Sequence, residues 1–258
     1  MGSNPTISIL VCMQVAKAKR FLKGCFECFK IYFIKEVLIQ VDVNEFVGIL
    51  KDIVEHFNTS YMLGCFGQPA NTTNISRAVA RKDVNNKPYE KGALSIKDKG
   101  FMFDCVCLIK AVLWGWNGDL TKSYGGAKYA SNNVPDIGAD SMIKQCKNVS
   151  TDFNTIKKGE AVWMKGHIGV YIGDGKVIEC TPKWSVSPGV KISYLENLGF
   201  KGGYSRTWTK HGFLPWVNYT EKKESIERYE NIEQIPEYAK EAINYFIEKG
   251  ILKGTSKG

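Results

Sequence analysis

The sequence contains no apolar run of about 18 residues, so nothing in it qualifies as a membrane-spanning helix. Proline is sparse, 8 in 258 residues, and the 25 glycines follow no period, which excludes collagen-like and low-complexity architectures. Histidine occurs only at positions 56, 167 and 211, so chemistry that needs an imidazole has few places to occur. Cysteine is not scarce, but paired spacing is. Of the eight, only Cys25-x-x-Cys28 has ligand spacing, and no second pair follows at finger or ribbon distance. The scatter reads as reduced, buried thiols with no structural metal. A secretion signal is missing too. Ile7 to Ala16 is apolar and Ala16-Lys17-Ala18 resembles a cleavage site, but no positive charge precedes the stretch and Lys17, Lys19 and Arg20 follow it.

What is present is an ordinary globular composition, 44% hydrophobic and 24% charged, with a net charge of +9. The charge is uneven: +4 over residues 1–41, +6 over the middle and −1 from 217 onward. A basic middle favours an anionic partner, whether nucleic acid, membrane surface or cell wall. No aromatic-basic stripe or nucleic-acid motif accompanies it, which sets nucleic acid aside.

Residues 1–41 look foreign to the rest. Phe21, Cys25, Phe26, Phe29 and Phe33 line one side of a possible amphipathic helix. Val43, Phe46, Val47, Leu50, Val54 and Phe57 predict the first firm helix, with Asp42 as its cap. Residues 58–104 read as irregular. A helix is expected from Cys105 to Leu113, loop over 115–138, and a short helix over Ala139–Cys146. Strands follow at 161–165, 167–172, 177–181, 190–195 and near 212–216. Helices first and an antiparallel sheet later predict an α+β domain over 42–216. A charged linker over 217–234 and a helix-bearing segment over 235–258 complete the chain.

His56 sits on the first helix and His211 at a strand start, and both read as structural. His167 differs by strand parity. Ile168, Val170 and Ile172 share an apolar face, and His167, Gly169 and Tyr171 share the other, where Gly169 leaves open space. Gly173-Asp174-Gly175 marks a hairpin. A three-residue loop with a left-handed Gly sets Val170 opposite Ile178 and Gly169 opposite Glu179. A one-residue slip would bury Glu179, so burial favours this register. Glu179 then lies diagonal to His167, about 7–8 Å away at backbone level. Such a carboxylate orients an imidazole and stabilises its charged form. Cys105 opens a helix after Asp104, where the helix dipole lowers a thiol pKa and free amides can hold an oxyanion. Cys107 points to another helix face and reads as packing.

Asp104-Cys105-Val106-Cys107-Leu108, Gly166-His167-Ile168-Gly169-Val170-Tyr171-Ile172-Gly173 and Val177-Ile178-Glu179 resemble the NlpC-type cysteine peptidases, papain-like peptidoglycan hydrolases. The order Cys, His, then a polar residue twelve further on matches that pattern over roughly residues 43–216. Tyr61-Met62-Leu63-Gly64-Cys65-Phe66-Gly67, Trp114-Gly115-Trp116-Asn117-Gly118-Asp119 and Gly125-Gly126-Ala127-Lys128-Tyr129-Ala130 resemble clostridial and phage or prophage forms.

The resemblance implies a papain-like fold in which helices, the nucleophile at the head of one, pack on an antiparallel sheet. It implies an endopeptidase cutting amide bonds in stem peptides, with Cys105 attacking, His167 as base then acid, and Glu179 orienting His167. Tyr61 and Asp104 fall on the oxyanion and substrate side. No metal or cofactor is implied. Val106-Cys107 replaces the usual Ser-Gly after the nucleophile, and Glu179 stands where His is common. The expected partner is bacterial peptidoglycan, with no nucleic acid, no membrane and a monomeric state. Without a signal the chain would stay cytoplasmic until released or phage-delivered, as a lysin is. Ile235-Pro236-Glu237-Tyr238-Ala239-Lys240 resembles the opening of an S-layer-homology-like wall-binding repeat, only half of which is present. The alternatives are an N-acetylmuramoyl-L-alanine amidase and an inactive wall-binding protein.

Overall fold

The computed structural model describes residues 40–184 and 188–220. The readings made for residues 1–39, and for the linker and half repeat from 221 onward, lie outside the described residues. The chain divides into two units, Met1–Tyr219 and Thr220–Gly258, and the first is the one described below.

A two-residue strand, β1 (Val41–Asp42), leads into α1 (Val43–His56). The Asp42 carboxylate accepts from the amides of Asn44 and Glu45 at 2.9 and 3.4 Å, which ends the strand and starts the helix. Val43, Phe46, Val47 and Leu50 lie in its buried stripe as the periodicity predicts, with Ile53 completing it, while Val54 and Phe57 are half-buried.

Residues 58–104 are not irregular. They hold β2 (Asn58–Tyr61), β3 (Phe66–Pro69), α2 (Thr72–Val79), α3 (Glu90–Ser95) and β4 (Gly100–Phe103). β4 lies between the other two, parallel to β2 and antiparallel to β3. Four-residue strands leave too short a record for period 2 to register. All four residues of β4 are buried, so it shows no alternation at all.

Beyond the predicted α4 (Cys105–Leu113) and α5 (Ala139–Gln145), the chain becomes a sheet. Its strands are β5 (Lys147–Ser150), β6 (Ala161–Met164), β7 (His167–Gly173), β8 (Lys176–Thr181), β9 (Gly189–Leu195), β10 (Ser205–Arg206) and β11 (Lys210–Phe213). The order is β10-β9-β8-β7-β6-β11-β5, antiparallel except for β10 against β9. The last sheet strand ends ahead of Pro215, earlier than predicted, because proline cannot donate to the ladder. The helices and this antiparallel-rich sheet make an α+β fold. Val217 and Asn218, placed in the linker from sequence, instead form β12 and pair in parallel with Val41 and Asp42. Among the described residues no helix is long and apolar enough to cross a membrane.

The β7–β8 hairpin has the predicted pairing, Val170 with Ile178, but reaches it differently. Asp174-Gly175 is a two-residue turn, both at positive φ, and the extra residue is a bulge between Tyr171 and Gly173. The space above Gly169 is also not open: a Cβ there would come within 2.8 Å of Val177 Cγ1 and 3.0 Å of the Ile178 carbonyl. The residue is small because β8 crowds it.

Both faces of the sheet are covered. Ile168, Val170, Ile178 and Cys180 pack with α4 and α1 in the main core. The His167 face, read from sequence as opposite the core, carries a second one built from Phe153, Val162, Tyr171, Val177, Leu195 and Trp208. The chain between β9 and β11 folds back to cover it. Leu50, fully buried at the centre of α1, should cost about 3 kcal/mol of stability when cut to alanine, read from urea unfolding. A loss within about 0.5 kcal/mol would mean that α1 is not a core element.

Candidate active site

β4 passes into α4 through one residue, Asp104, and that residue fixes the site's first half. One carboxylate oxygen accepts from the Cys107 amide at 2.7 Å and the other from the Gly64 amide at 2.6 Å. The Asp104 amide donates to the Cys65 carbonyl at 3.0 Å. The 62–65 loop is thereby tied to the head of α4. Gly64 sits at φ +74°, a left-handed position that suits glycine.

Cys105 is buried in the first turn of α4. The backbone amides of Ile168, Val106 and Cys105 itself act to lower its pKa. These donors favour a thiolate, as the helix N-terminus was expected to, but they do not prevail. Burial, and then the Asp104 carboxylate, push the thiol up to about 12. The resting group at neutral pH is therefore the thiol. The sequence reading weighed the dipole and not the charge of the cap that accompanies it.

Asp104 lines the cleft with Cys105, but it does not fit the oxyanion side. Both oxygens are taken by amides, and a carboxylate has no proton to donate. Its place is that of a cap. Tyr61, the last residue of β2, lines the same cleft of about 260 Å³ with Leu63, Cys105 and Gly166. Its ring meets Tyr89 edge-on at 5.0 Å. Burial, with the neighbouring Cys105 and Asp104, pushes its hydroxyl pKa up, so it stays a donor.

His167 opens β7, and the amide of the next residue, Ile168, is the one that faces Cys105. The His167 side chain is 15% exposed. Its Nε2 lies 2.6 Å from a Glu179 oxygen, as the diagonal predicts, and its ring stacks on Trp208 at 5.4 Å and 13°. In the neutral ring an acceptor at Nε2 places the proton on Nε2 and leaves Nδ1 with its lone pair.

Glu179 is wholly buried in the very register that was expected to keep it out of the core. The register holds for another reason: the charge is matched where it lies. Ser193 donates its hydroxyl to one oxygen at 2.5 Å, joined by Arg206 Nε at 3.2 Å. Arg206 Nη2 stands 2.9 Å from the other oxygen. Burial raises this carboxyl, but the His167 hydrogen bond and charge, then Arg206, outweigh it and hold it below the usual range. Arg206 lies between Trp184 and Trp208, 5.0 and 5.5 Å from the ring centroids.

Sequence reasoning missed Ser193, Arg206 and Trp208. Alternation along β9 carried a signal for Ser193, because Val190 and Ile192 mark the opposite face. Arg206 and Trp208 are likewise two apart. The structural readings of Cys107, His56 and His211 hold. Cys107 packs in the core, and burial first, then Asp104, raise its thiol. His56 is exposed, and His211 is a buried structural residue with Nδ1 2.5 Å from Glu160 and Nε2 2.9 Å from the Asp152 carbonyl. Among the described residues no cluster of three or more His, Cys, Asp or Glu is placed to hold a metal ion.

Comparison with protein-family models and with curated proteins gives no match.

The Asp104 charge should be separable from its cap. Asp104→Asn keeps an acceptor for the Cys107 amide and removes the charge, so the Cys105 titration midpoint, read from alkylation rate against pH, should fall below about 12. An unchanged or higher midpoint would clear the carboxylate of that effect. Arg206→Met should cost about 3 kcal/mol in urea unfolding by leaving Glu179 buried without its cation. Glu179→Gln on that background should recover much of it, and strictly additive losses would deny the coupling.

Proposed function

We propose that this protein is a cysteine peptidase that cleaves amide bonds in the stem peptides of bacterial peptidoglycan. The observation that carries the chemistry is the pairing of the two halves of the site. Buried Cys105 stands at the head of α4, which packs against β7, and the histidine of β7 is held by a buried glutamate. The wall as substrate rests on the resemblance of the Cys105, His167 and Glu179 segments to NlpC-type peptidases, and with it a papain-like arrangement and a lysin role.

The mechanism starts from a neutral thiol. His167 Nδ1 takes the Cys105 proton as the sulfur attacks the carbonyl carbon, so ionisation and attack are coupled. Glu179 holds the ring through Nε2 and stabilises the imidazolium that forms, and Arg206 and Ser193 hold Glu179. The oxyanion is met by amides at the head of α4 and by the Tyr61 hydroxyl. His167 then protonates the leaving amine, the acyl group stays on sulfur, and water completes hydrolysis through the same base.

Digestion of purified peptidoglycan tests the reading, with products identified by mass spectrometry. The protein should release new amino termini within the stem peptide, and Cys105→Ala should abolish them, a loss of about 10³-fold or more in rate. Cleavage at the sugar–peptide link would move the activity to an amidase with the same groups. A folded protein that releases nothing from several wall types would leave a binding role.

A further inference from the structure

The chain between β10 and β11 is irregular, yet every residue from 206 to 209 is tied down. Arg206 reaches Glu179, the Thr207 hydroxyl donates to Glu196 at 2.8 Å, and the Thr209 amide donates to the Trp163 carbonyl at 2.8 Å. Trp208 is held twice by one side chain. Its amide donates to Asn197 Oδ1 at 2.7 Å, and its carbonyl accepts from Asn197 Nδ2 at 2.9 Å. Asn197 stands in a one-turn helix, Glu196–Leu198, directly after β9. An amide side chain that pairs with both polar groups of one residue fixes that backbone as a neighbouring strand would. The indole has no such hold of its own. Trp208 is 2% exposed, and its Nε1 is buried with no hydrogen-bond partner among the described residues. The ring is placed by its backbone and by what lies against it.

What lies against it is His167, 5.4 Å between ring centroids and 13° from parallel, with the Arg206 guanidinium 5.5 Å from the same indole. The bond from His167 Nε2 to Glu179 fixes one corner of the imidazole and leaves the ring able to swing about that corner. A flat neighbour along its face removes that freedom, and the direction of Nδ1 follows. We propose that Trp208, clamped by Asn197, is a positioning residue that sets the plane of the His167 ring and so keeps Nδ1 turned to Cys105. The strap of residues 206–209 then serves both members of the pair: Arg206 holds the carboxylate and Trp208 holds the imidazole. The inference rests on the peptidase reading for the task of His167. Neither Trp208 nor Asn197 lines the cleft of Cys105, so both act through the histidine. The indole face also favours the imidazolium once the proton arrives.

The test is the rate of iodoacetamide alkylation of Cys105 in the full chain at neutral pH, followed by mass spectrometry of the peptide that carries it. It needs no substrate, and a thiol pushed up to about 12 reacts fast only with a base beside it. His167→Ala sets the reference and should slow the reaction about tenfold or more. Trp208→Leu should slow it to a similar degree. Trp208→Phe should restore most of the rate, because a flat ring remains, and Asn197→Ala should fall between the two. On the His167→Ala background, Trp208→Leu should cost nothing further. A packing role predicts instead losses that add on that background, or a Phe variant no faster than Leu, and either result overturns the proposal. So does a Trp208→Leu protein that is folded by circular dichroism and alkylated at the full rate. Where Trp208→Leu does not fold, Asn197→Ala decides: a loss that vanishes on the His167→Ala background is expected, and full rate or an additive loss overturns the proposal. Full-rate alkylation of His167→Ala itself would remove the peptidase reading and the proposal with it, whereas a slow His167→Ala beside a fast Trp208→Leu would remove the proposal alone.

Discussion

One carboxylate without solvent organises the sheet half of the candidate site. Glu179 is held by Ser193 from β9, Arg206 from β10 and His167 from β7, so four strands meet at a single charge. Removing an ion from water costs several kcal/mol, and only close, well-aligned partners offset that. The sheet must therefore keep its register for the charge to be tolerable, and the histidine is oriented as a result. In the proposed reading, stability and function draw on the same contacts. The aromatic rings around Arg206 belong to this arrangement, because they exclude water from the ion pair and so strengthen it.

The Cys105 half follows a similar logic with a different residue. Asp104 ends β4, caps α4 and ties down the 62–65 loop. Its charge also opposes ionisation of the neighbouring thiol. A protein that caps the helix this way gains a fixed cysteine and gives up a ready thiolate. The chemistry proposed above accommodates that by making proton transfer part of the attack.

Much of this was legible before any coordinates. The two long helices, the strands from 161 to 195 and the parity that sets His167 with Glu179 all follow from period and turn signals that span enough residues to register. What escaped was either short or distant in sequence. β2, β3 and β4 are four residues each, and β2 pairs with β4 across a long gap. Arg206 reaches Glu179 from a two-residue strand, and no local pattern announces such a contact. The burial argument chose the right register for an incomplete reason, since it treated a charge in the interior as an error when its partners lay elsewhere in the chain. The helix-dipole argument at Cys105 failed in the same manner, by counting a favourable field and omitting the carboxylate that comes with it.

The parallel pairing of β1 with β12 has a mechanical consequence. The chain enters the domain at Val41 and leaves it past Asn218, with these residues side by side and running in one direction. Tension drawn through the two flanks along the strands therefore loads this ladder in shear, so that its bonds must yield together and not one by one. The strands that carry His167 and Glu179 lie outside that load path. A domain clamped at its own entry and exit can be tethered through either flank, or pulled between both, without the force reaching the residues that hold the buried carboxylate.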